Sequence, residues 1–143
     1  MDAALKSRTA LLCFPPNPTS NEVERIAKTL ITYGRETLGC LFVCEDTQTA
    51  YDKTFAQYGD YPSWIQALVT GRNYTSGRPR FDVIVVTRSV FGRGTAGIVE
   101  LALSIRRPVF FVTDTTINVV TSLVTIDDKN WREGWSVTTR GAC

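Results

Sequence analysis

Residues Phe81 to Asp114, FDVIVVTRSVFGRGTAGIVELALSIRRPVFFVTD, decide the fold of this chain. Two runs in this stretch, 83–86 and 109–112, are continuously apolar and rich in β-branched or aromatic residues, which is typical of strands covered on both faces. Between them, Gly92 to Gly97 opens a helix that Pro108 closes. The stretch therefore predicts a strand, a glycine-rich loop, a helix and a second strand.

The glycine-rich loop is the predicted ligand site. A helix N-terminus exposes unpaired backbone N–H groups and the positive end of the helix dipole, so it stabilises anions. Arg88 and Arg93 flank the loop and either clamp phosphate oxygens or remain solvated on the surface. The predicted ligand-binding residues are Asn17, Arg88, Ser89, Gly92, Arg93, Gly94 and Thr95.

Apolar segments alternate with helical patterns along the rest of the chain. Strands are predicted at 9–14, 41–44, 122–126 and 135–139, and helices at 21–33, with Ser20 as N-cap, and at about 63–70. The order predicts an α/β fold in one domain, 1–143: a three-layer, Rossmann-like arrangement with a mostly parallel sheet of about five strands. An aromatic-rich segment from Tyr51 to Tyr74 is interpreted as core or subunit contacts, or as a wall on which a ring stacks.

Composition and charge narrow the function classes. The chain has 143 residues and a net charge of +2, with its basic residues dispersed, which argues against nucleic acid as the partner. No apolar run reaches the ~20 residues of a membrane span, and the N-terminal residues lack a signal-peptide core. We therefore expect a cytoplasmic protein that contacts neither membranes nor nucleic acid.

The four cysteines and the absence of histidine limit the chemistry. The Cys40/Cys44 spacing does not match a zinc knuckle, and without histidine neither a mixed Cys/His site nor a Ser-His-Asp or Cys-His scheme can form. The cysteines are interpreted mainly as buried or free thiols, with a metal or disulfide role as the lesser alternative, and no metal site or cofactor is assigned. Acid–base groups must then be carboxylates, tyrosines or lysines.

Ligands of mostly parallel sheets bind outside the carboxyl ends of the strands. This rule collects four loops at one edge: 15–18, 45–47, 87–95 and 114–116. The first loop is rich in proline and poor in N–H donors, so it is predicted to shape the pocket without cradling phosphate. Asp46 and Asp114 supply carboxylates there.

Gly92, Gly94 and Gly97 also match the spacing of the dinucleotide fingerprint, with Asp114 ending the next strand. The fingerprint places its tight turn at the strand end, whereas residues 87–91 intervene here. The chain also offers no substrate domain for hydride transfer. This departure disfavours a dehydrogenase but leaves an NAD-related ligand open.

The region from Thr9 to Thr113 resembles the nucleoside 2-deoxyribosyltransferase-like group and its lysine-decarboxylase-like, cytokinin-activating relatives. The segments that carry the resemblance are Phe81-Asp82-Val83-Ile84-Val85, Gly94-Thr95, Ala102 and Arg107-Pro108-Val109-Phe110. The resemblance implies a nucleoside or nucleotide ligand and chemistry at its N-glycosidic bond. It also implies a homo-oligomer, because members of the group often complete one subunit's site with residues of a neighbour.

The chain departs from this group at the position of the group's glutamate, where Ile98 stands. A hydrocarbon cannot attack an anomeric carbon. The nearest carboxylate, Glu100, lies about 200° further round the helix, where it is either a catalytic group or a solvated residue paired with Ser104 or Arg107.

Three functions are therefore open. The first is an N-glycosidase or transferase with Glu100, Asp46 or Asp114 as its catalytic carboxylate. The second is a catalytically silent protein that senses or sequesters a nucleotide. The third is a structural or adaptor oligomer.

Overall fold

The structure is a computed structural model that describes residues 6–14, 18–72 and 76–141. Within these residues the chain forms seven strands, four α-helices and one π-helical turn, Gly34–Leu38. The strands are β1 (Lys6–Cys13), β2 (Cys40–Asp46), β3 (Val83–Val86), β4 (Val90–Phe91), β5 (Val109–Val112), β6 (Ile117–Thr125) and β7 (Trp135–Gly141). The helices are α1 (Ser20–Tyr33), α2 (Thr47–Tyr58), α3 (Tyr61–Thr70) and α4 (Arg93–Ser104).

The strands form one mixed sheet in the order β2-β1-β3-β5-β6-β7-β4. The pairs from β2 to β5 are parallel, whereas β6, β7 and β4 join by antiparallel pairs. The predicted three-layer, Rossmann-like fold with a mostly parallel sheet of about five strands is therefore wrong. The chain turns directly from β5 into β6 and from β6 into β7 without a crossover helix, and such direct connections give antiparallel pairs.

Strand β4 gives the sheet its curled, half-barrel form. It follows β3 after only three residues, 87–89, yet it pairs with the start of β7 and so forms the far edge of the sheet. The β6–β7 hairpin must therefore curl around α4 to meet it. As a result, the loop that joins β6 to β7, residues 126–134 and here named the hairpin loop, lies beside the N-terminus of α4.

Two hydrophobic clusters cover the two faces of the parallel strands. Alternation along β1 and β3 directs Leu11 and Ile84 towards α2, α3 and α4, and Leu12 and Val85 towards α1. Val83, Ile84, Val85 and Val86 are all buried, as the continuous apolar run predicted. The larger cluster also contains Trp135 of β7, so the hairpin is part of the core.

Several predicted helix boundaries are wrong in detail. The N-cap of α1 is Thr19, not Ser20, and its Oγ1 accepts a hydrogen bond from the N–H of Glu22. Helix α2 lies where the sequence predicted a loop. Asp46 caps it through the N–H of Thr49, at 2.9 Å.

None of the helices in the described ranges is both long and apolar enough to cross a membrane.

Candidate functional site

A cavity of about 740 Å³ lies at the carboxyl ends of β1 and β3. The last residues of these two paired strands, Cys13 and Val86, form its floor. The first turns of α2 and α4 form two of its sides, and the hairpin loop contributes a third. The cavity therefore occupies the place where α/β sheets bind ligands.

The N-terminus of α4 presents backbone donors to this cavity. Its N-cap is Gly92, which has no side chain to accept a hydrogen bond, whereas the other three described α-helices are capped by Thr19, Asp46 and Asp60. The N–H groups of Gly94 and Thr95 lie in the first turn, where helix geometry provides no partner. Both residues line the cavity and are half-buried, so their N–H groups are available to an anion.

An aromatic wall faces the same cavity and is held in place by packing. Tyr51 and Trp64 line it and pack edge to face, with ring centroids 5.4 Å apart. Phe55 stacks on Tyr51 at 4.5 Å, and the Nε1–H of Trp64 donates to Thr54 Oγ1 at 2.7 Å. Trp64 belongs to the core, as one interpretation of the sequence predicted, and the residue also borders the cavity.

The hairpin loop is attached directly to the start of α4. The N–H of Arg93 donates to the carbonyl of Trp131 at 2.9 Å. A Cβ atom at Gly92 would lie 2.6 Å from that carbonyl oxygen, so the close approach of loop and helix requires glycine. Trp131, Arg132 and Glu133 of the loop then line the cavity.

The structure brings most of the predicted ligand-binding residues to the cavity. Its lining includes Arg88, Gly92, Arg93, Gly94 and Thr95. Ser89 is not part of the lining, and its carbonyl accepts a hydrogen bond from Ser136 Oγ at 2.6 Å. Asn17 lies outside the described residues.

The two arginines that flank the glycine-rich loop, Arg88 and Arg93, interact with other residues of this chain. Arg88 forms an exposed ion pair with Glu22 of α1, with an N–O distance of 3.8 Å. The guanidinium of Arg93 lies 5.7 Å from the ring centroid of Trp135. These two guanidinium groups therefore do not form a preorganised bidentate clamp. The backbone N–H groups at the start of α4 are the better placed hydrogen-bond donors for an anion.

The three predicted catalytic carboxylates are not among the residues that line the cavity. Asp46 accepts hydrogen bonds from both the N–H and the hydroxyl of Thr49, and Asp114 lies 3.7 Å from Arg25 in an exposed ion pair. Glu100 is exposed and borders a second, shallower hollow of about 540 Å³ with Asp128.

Neither of the pairings predicted for Glu100 is present. Ser104 Oγ donates to the carbonyl of Leu101, and Arg107 donates to the carbonyls of Val69 and Phe81. Glu100 is therefore bound to neither side chain. Glu100 lines the second hollow instead of the candidate site.

Sequence reasoning missed the contribution of α2 and the hairpin loop. Thr47 and Gln48 start α2, and Trp131, Arg132 and Glu133 come from a segment that reads only as a polar turn. Glu133 is the one carboxylate residue among the described residues of the lining. The available signals were Asp46 as an N-cap before Thr49 and the direct connection between two strands, which places their loop at a sheet end.

Cys13 lines the candidate site, and burial raises the pKa of its thiol to about 12. Burial also raises the pKa of Cys44, to about 11. A thiol is nucleophilic only as the thiolate, so Cys13 remains protonated and unreactive near neutral pH. Among the residues that the structure describes, no group of three or more Cys, Asp or Glu side chains is placed to hold a metal ion.

We expect Cys13 to resist alkylation in the native protein. At about pH 8 a thiol with a pKa of about 12 is ionised only in roughly one molecule in ten thousand. Iodoacetamide should therefore modify Cys13 at least about a thousandfold faster after unfolding in urea than before it. Peptide mass spectrometry measures both rates, and similar rates would show that the thiol is accessible and ionisable.

No protein-family model, curated protein or solved structure matches this chain. The resemblance to the nucleoside 2-deoxyribosyltransferase-like group thus stays a prediction from short motifs. Fold and site together define an α/β protein with a mixed, curled sheet and one cavity at the carboxyl ends of its first and third strands.

Proposed function

We propose that this protein binds a nucleotide in the cavity between α2, α4 and the hairpin loop. One observation carries the proposal: a single cavity joins the uncapped N-terminus of α4 to the aromatic wall of Tyr51 and Trp64. Backbone N–H groups at a helix N-terminus suit a phosphate, and aromatic rings suit a base. The two parts of a nucleotide would therefore find matching surfaces within one site.

The size and charge of the cavity support the same ligand class. Its volume of about 740 Å³ lies within the range of roughly 300–1,000 Å³ that is typical of small-molecule sites. Three arginines and one glutamate border it, so the charged side chains of the lining are mostly cationic. Arg132 of the hairpin loop is exposed and contributes one of these positive charges.

The same geometry favours binding without catalysis. Ile98 lines the cavity and is only 2% exposed, so a hydrocarbon occupies the place of the glutamate in the resembled group. Glu100 lies beside the other hollow. A sensor or a sequestering protein for a nucleotide therefore fits this site better than a glycosidase.

Cleavage of the N-glycosidic bond is the second candidate, and Glu133 is the observation that favours it. Glu133 belongs to the cavity lining, and a carboxylate there is a candidate nucleophile or acid–base group for a bound sugar. Release of free base from a bound nucleotide, lost in Glu133→Gln, would favour this candidate. A nucleotide recovered intact after long incubation would favour the binder.

The phosphate site is tested by Thr95→Glu, which places a carboxylate in the first turn of α4. The new carboxylate would repel a phosphate and would itself cap the helix. The affinity for a nucleoside monophosphate should therefore fall by about a hundredfold, and the affinity for the matching nucleoside by less than about threefold. Isothermal titration calorimetry with both ligands measures the difference. Thr125→Glu is the matched control, because Thr125 is exposed and borders only the second hollow.

Two results would overturn parts of the proposal. Equal losses for nucleotide and nucleoside in Thr95→Glu would place the phosphate elsewhere in the cavity. Failure of the unmodified protein to bind any member of a panel of purine and pyrimidine nucleotides would refute nucleotide binding itself.

A further inference from the structure

The second hollow, of about 540 Å³, adjoins the candidate site. It is lined by α4 and by the β6–β7 hairpin, whereas the candidate site is lined by α2, α4 and the hairpin loop. Its volume is within the range of roughly 300–1,000 Å³ that is typical of small-molecule sites. The second hollow therefore has room for a part of a ligand that the candidate site does not hold.

The two hollows share a boundary, which is formed by Arg93 and Trp131. Both residues line both hollows, and the hydrogen bond from the Arg93 N–H to the Trp131 carbonyl joins α4 to the hairpin loop at this boundary. Gly94 and Thr95, which supply the backbone donors of the candidate site, follow Arg93 directly in the chain. A phosphate bound to these donors would therefore lie next to the boundary.

The second hollow offers an aromatic surface and hydrogen-bond acceptors. Trp131 is 69% exposed, the largest value among the exposed large hydrophobic residues of the described chain, so its indole is open to stacking on a planar ring. The carboxylates of Glu100 and Asp128 have no hydrogen bond or ion pair with another described residue, so they are available to the hydroxyl groups of a ligand. A base and a ribose match these two features.

The charge of the second hollow disfavours a further phosphate there. Two carboxylates, of Glu100 and Asp128, oppose one guanidinium, that of Arg93, which lies 5.7 Å from the ring centroid of Trp135. A terminal phosphate in this hollow would face a net negative surface. The group that fits is therefore neutral and is attached through the phosphates at the boundary.

We infer that the ligand is a dinucleotide, in which a diphosphate joins two nucleosides. This inference rests on the proposed function, because the first half of the ligand occupies the candidate site. The diphosphate crosses the boundary beside Arg93, the second base stacks on Trp131, and the second ribose donates to Glu100 or Asp128. Glu100 follows Arg93 by seven residues on α4, about 10 Å along the helix axis, so it lies beyond the phosphates.

The test compares two ligands of equal charge, diadenosine diphosphate and ADP-glucose, by isothermal titration calorimetry with the full chain. Each contains adenosine and a doubly esterified diphosphate, but only the first has a second base. Diuridine diphosphate and UDP-glucose form the matching pyrimidine pair. In at least one pair, the dinucleotide should bind about tenfold or more tightly than the nucleotide sugar, because a second base stacks on an aromatic side chain.

Two variants locate the second nucleoside. Trp131→Ala should lower the affinity for the dinucleotide by about tenfold and the affinity for the nucleotide sugar by less than about threefold. The double variant Glu100→Ala, Asp128→Ala should also reduce the ratio of the two affinities, since it removes the acceptors for the second ribose. Ile126→Ala is the matched control, because Ile126 is 58% exposed in the hairpin loop and lines neither hollow.

The possible results distinguish this inference from the proposed function, and circular dichroism shows whether each variant is folded. A preference for the dinucleotide that Trp131→Ala abolishes and Ile126→Ala retains supports the inference. Equal affinities within each pair overturn it but leave nucleotide binding intact. A preference that neither Trp131→Ala nor the double variant reduces also overturns it, because the second base then binds elsewhere. If none of the four ligands binds, the proposed function fails together with the inference.

Discussion

Replacing Trp64 with alanine is expected to lower the free energy of unfolding by about 3–5 kcal/mol. Trp64 is 3% exposed and packs against Tyr51 and Phe55, so its removal leaves a cavity between α2 and α3. The change also removes the hydrogen bond from Nε1 to Thr54 Oγ1. Since a domain of this size has about 5–15 kcal/mol in total, urea denaturation should show the loss of a large part of its stability.

Trp131→Ala is the matched control for this prediction. Trp131 is the same residue type but is 69% exposed on the hairpin loop. Its replacement should change the free energy of unfolding by less than about 0.5 kcal/mol. A loss in Trp131→Ala as large as in Trp64→Ala would mean that the hairpin loop, and not the aromatic wall, dominates the stability of this region.

Replacing Arg107 with alanine is expected to cost about 3 kcal/mol. Nη1 of Arg107 donates to the carbonyls of Val69 and Phe81, at 2.8 and 2.6 Å, and both of those residues are buried. Burial lowers the pKa of the Arg107 guanidinium, and the nearby Asp82 carboxylate opposes that shift. Arg107 thus links the end of α3 to the residues just before β3. Without its guanidinium, the carbonyls of Val69 and Phe81 would lose a charged hydrogen-bond donor.

The neighbouring arginine should respond in the opposite direction. Arg106 has a φ of 61°, in the left-handed region that strains residues with a Cβ atom. Arg106→Gly relieves this strain, and after the entropy cost of glycine it should stabilise the protein by about 0.5 kcal/mol. Thermal and urea unfolding measure the stability of both variants. An equal loss of stability in Arg106→Gly and Arg107→Ala would contradict this account.

The local elements of the parallel region were predictable because burial on both faces leaves a plain pattern. The apolar runs at 83–86 and 109–112 coincide with β3 and β5. Helix α2 has Ala50 as its only buried residue, and the rest of its core-facing stripe is the partly buried Tyr51, Phe55 and Tyr58, so the segment was interpreted as an aromatic-rich loop instead of an amphipathic helix. The two-residue strand β4 is too short for any periodicity to show.

The sheet as a whole was not predictable from patterns of single strands. An apolar run looks alike in parallel and antiparallel pairs, so direction must come from the connections. The turn from β5 to β6 and the hairpin loop both lack a crossover helix, and those two connections decide that the sheet is mixed. The curl around α4 depends on the pairing of Phe91 with Trp135, a contact between distant parts of the sequence.

In the candidate site, too, the parts set by local sequence were predictable and the parts set by long-range pairing were not. Gly92, Gly94 and Thr95 were placed at a helix start by local signals, and they lie there in the structure. The hairpin loop reaches the site only through the curl of the sheet, so the local sequence around Trp131 and Glu133 did not place these residues in the cavity. Choosing carboxylates from strand ends led instead to Asp46 and Asp114, which have structural partners.

The hydrogen bond between the Arg93 N–H and the Trp131 carbonyl joins two segments that are synthesised at different times. A ribosome releases α4 before it releases the hairpin, because synthesis runs from the N-terminus. Until Trp131 emerges, the start of α4 faces bulk water on that flank, and a nascent chain has no finished pocket. The cavity is therefore complete only after the hairpin has been synthesised and has packed against the start of α4.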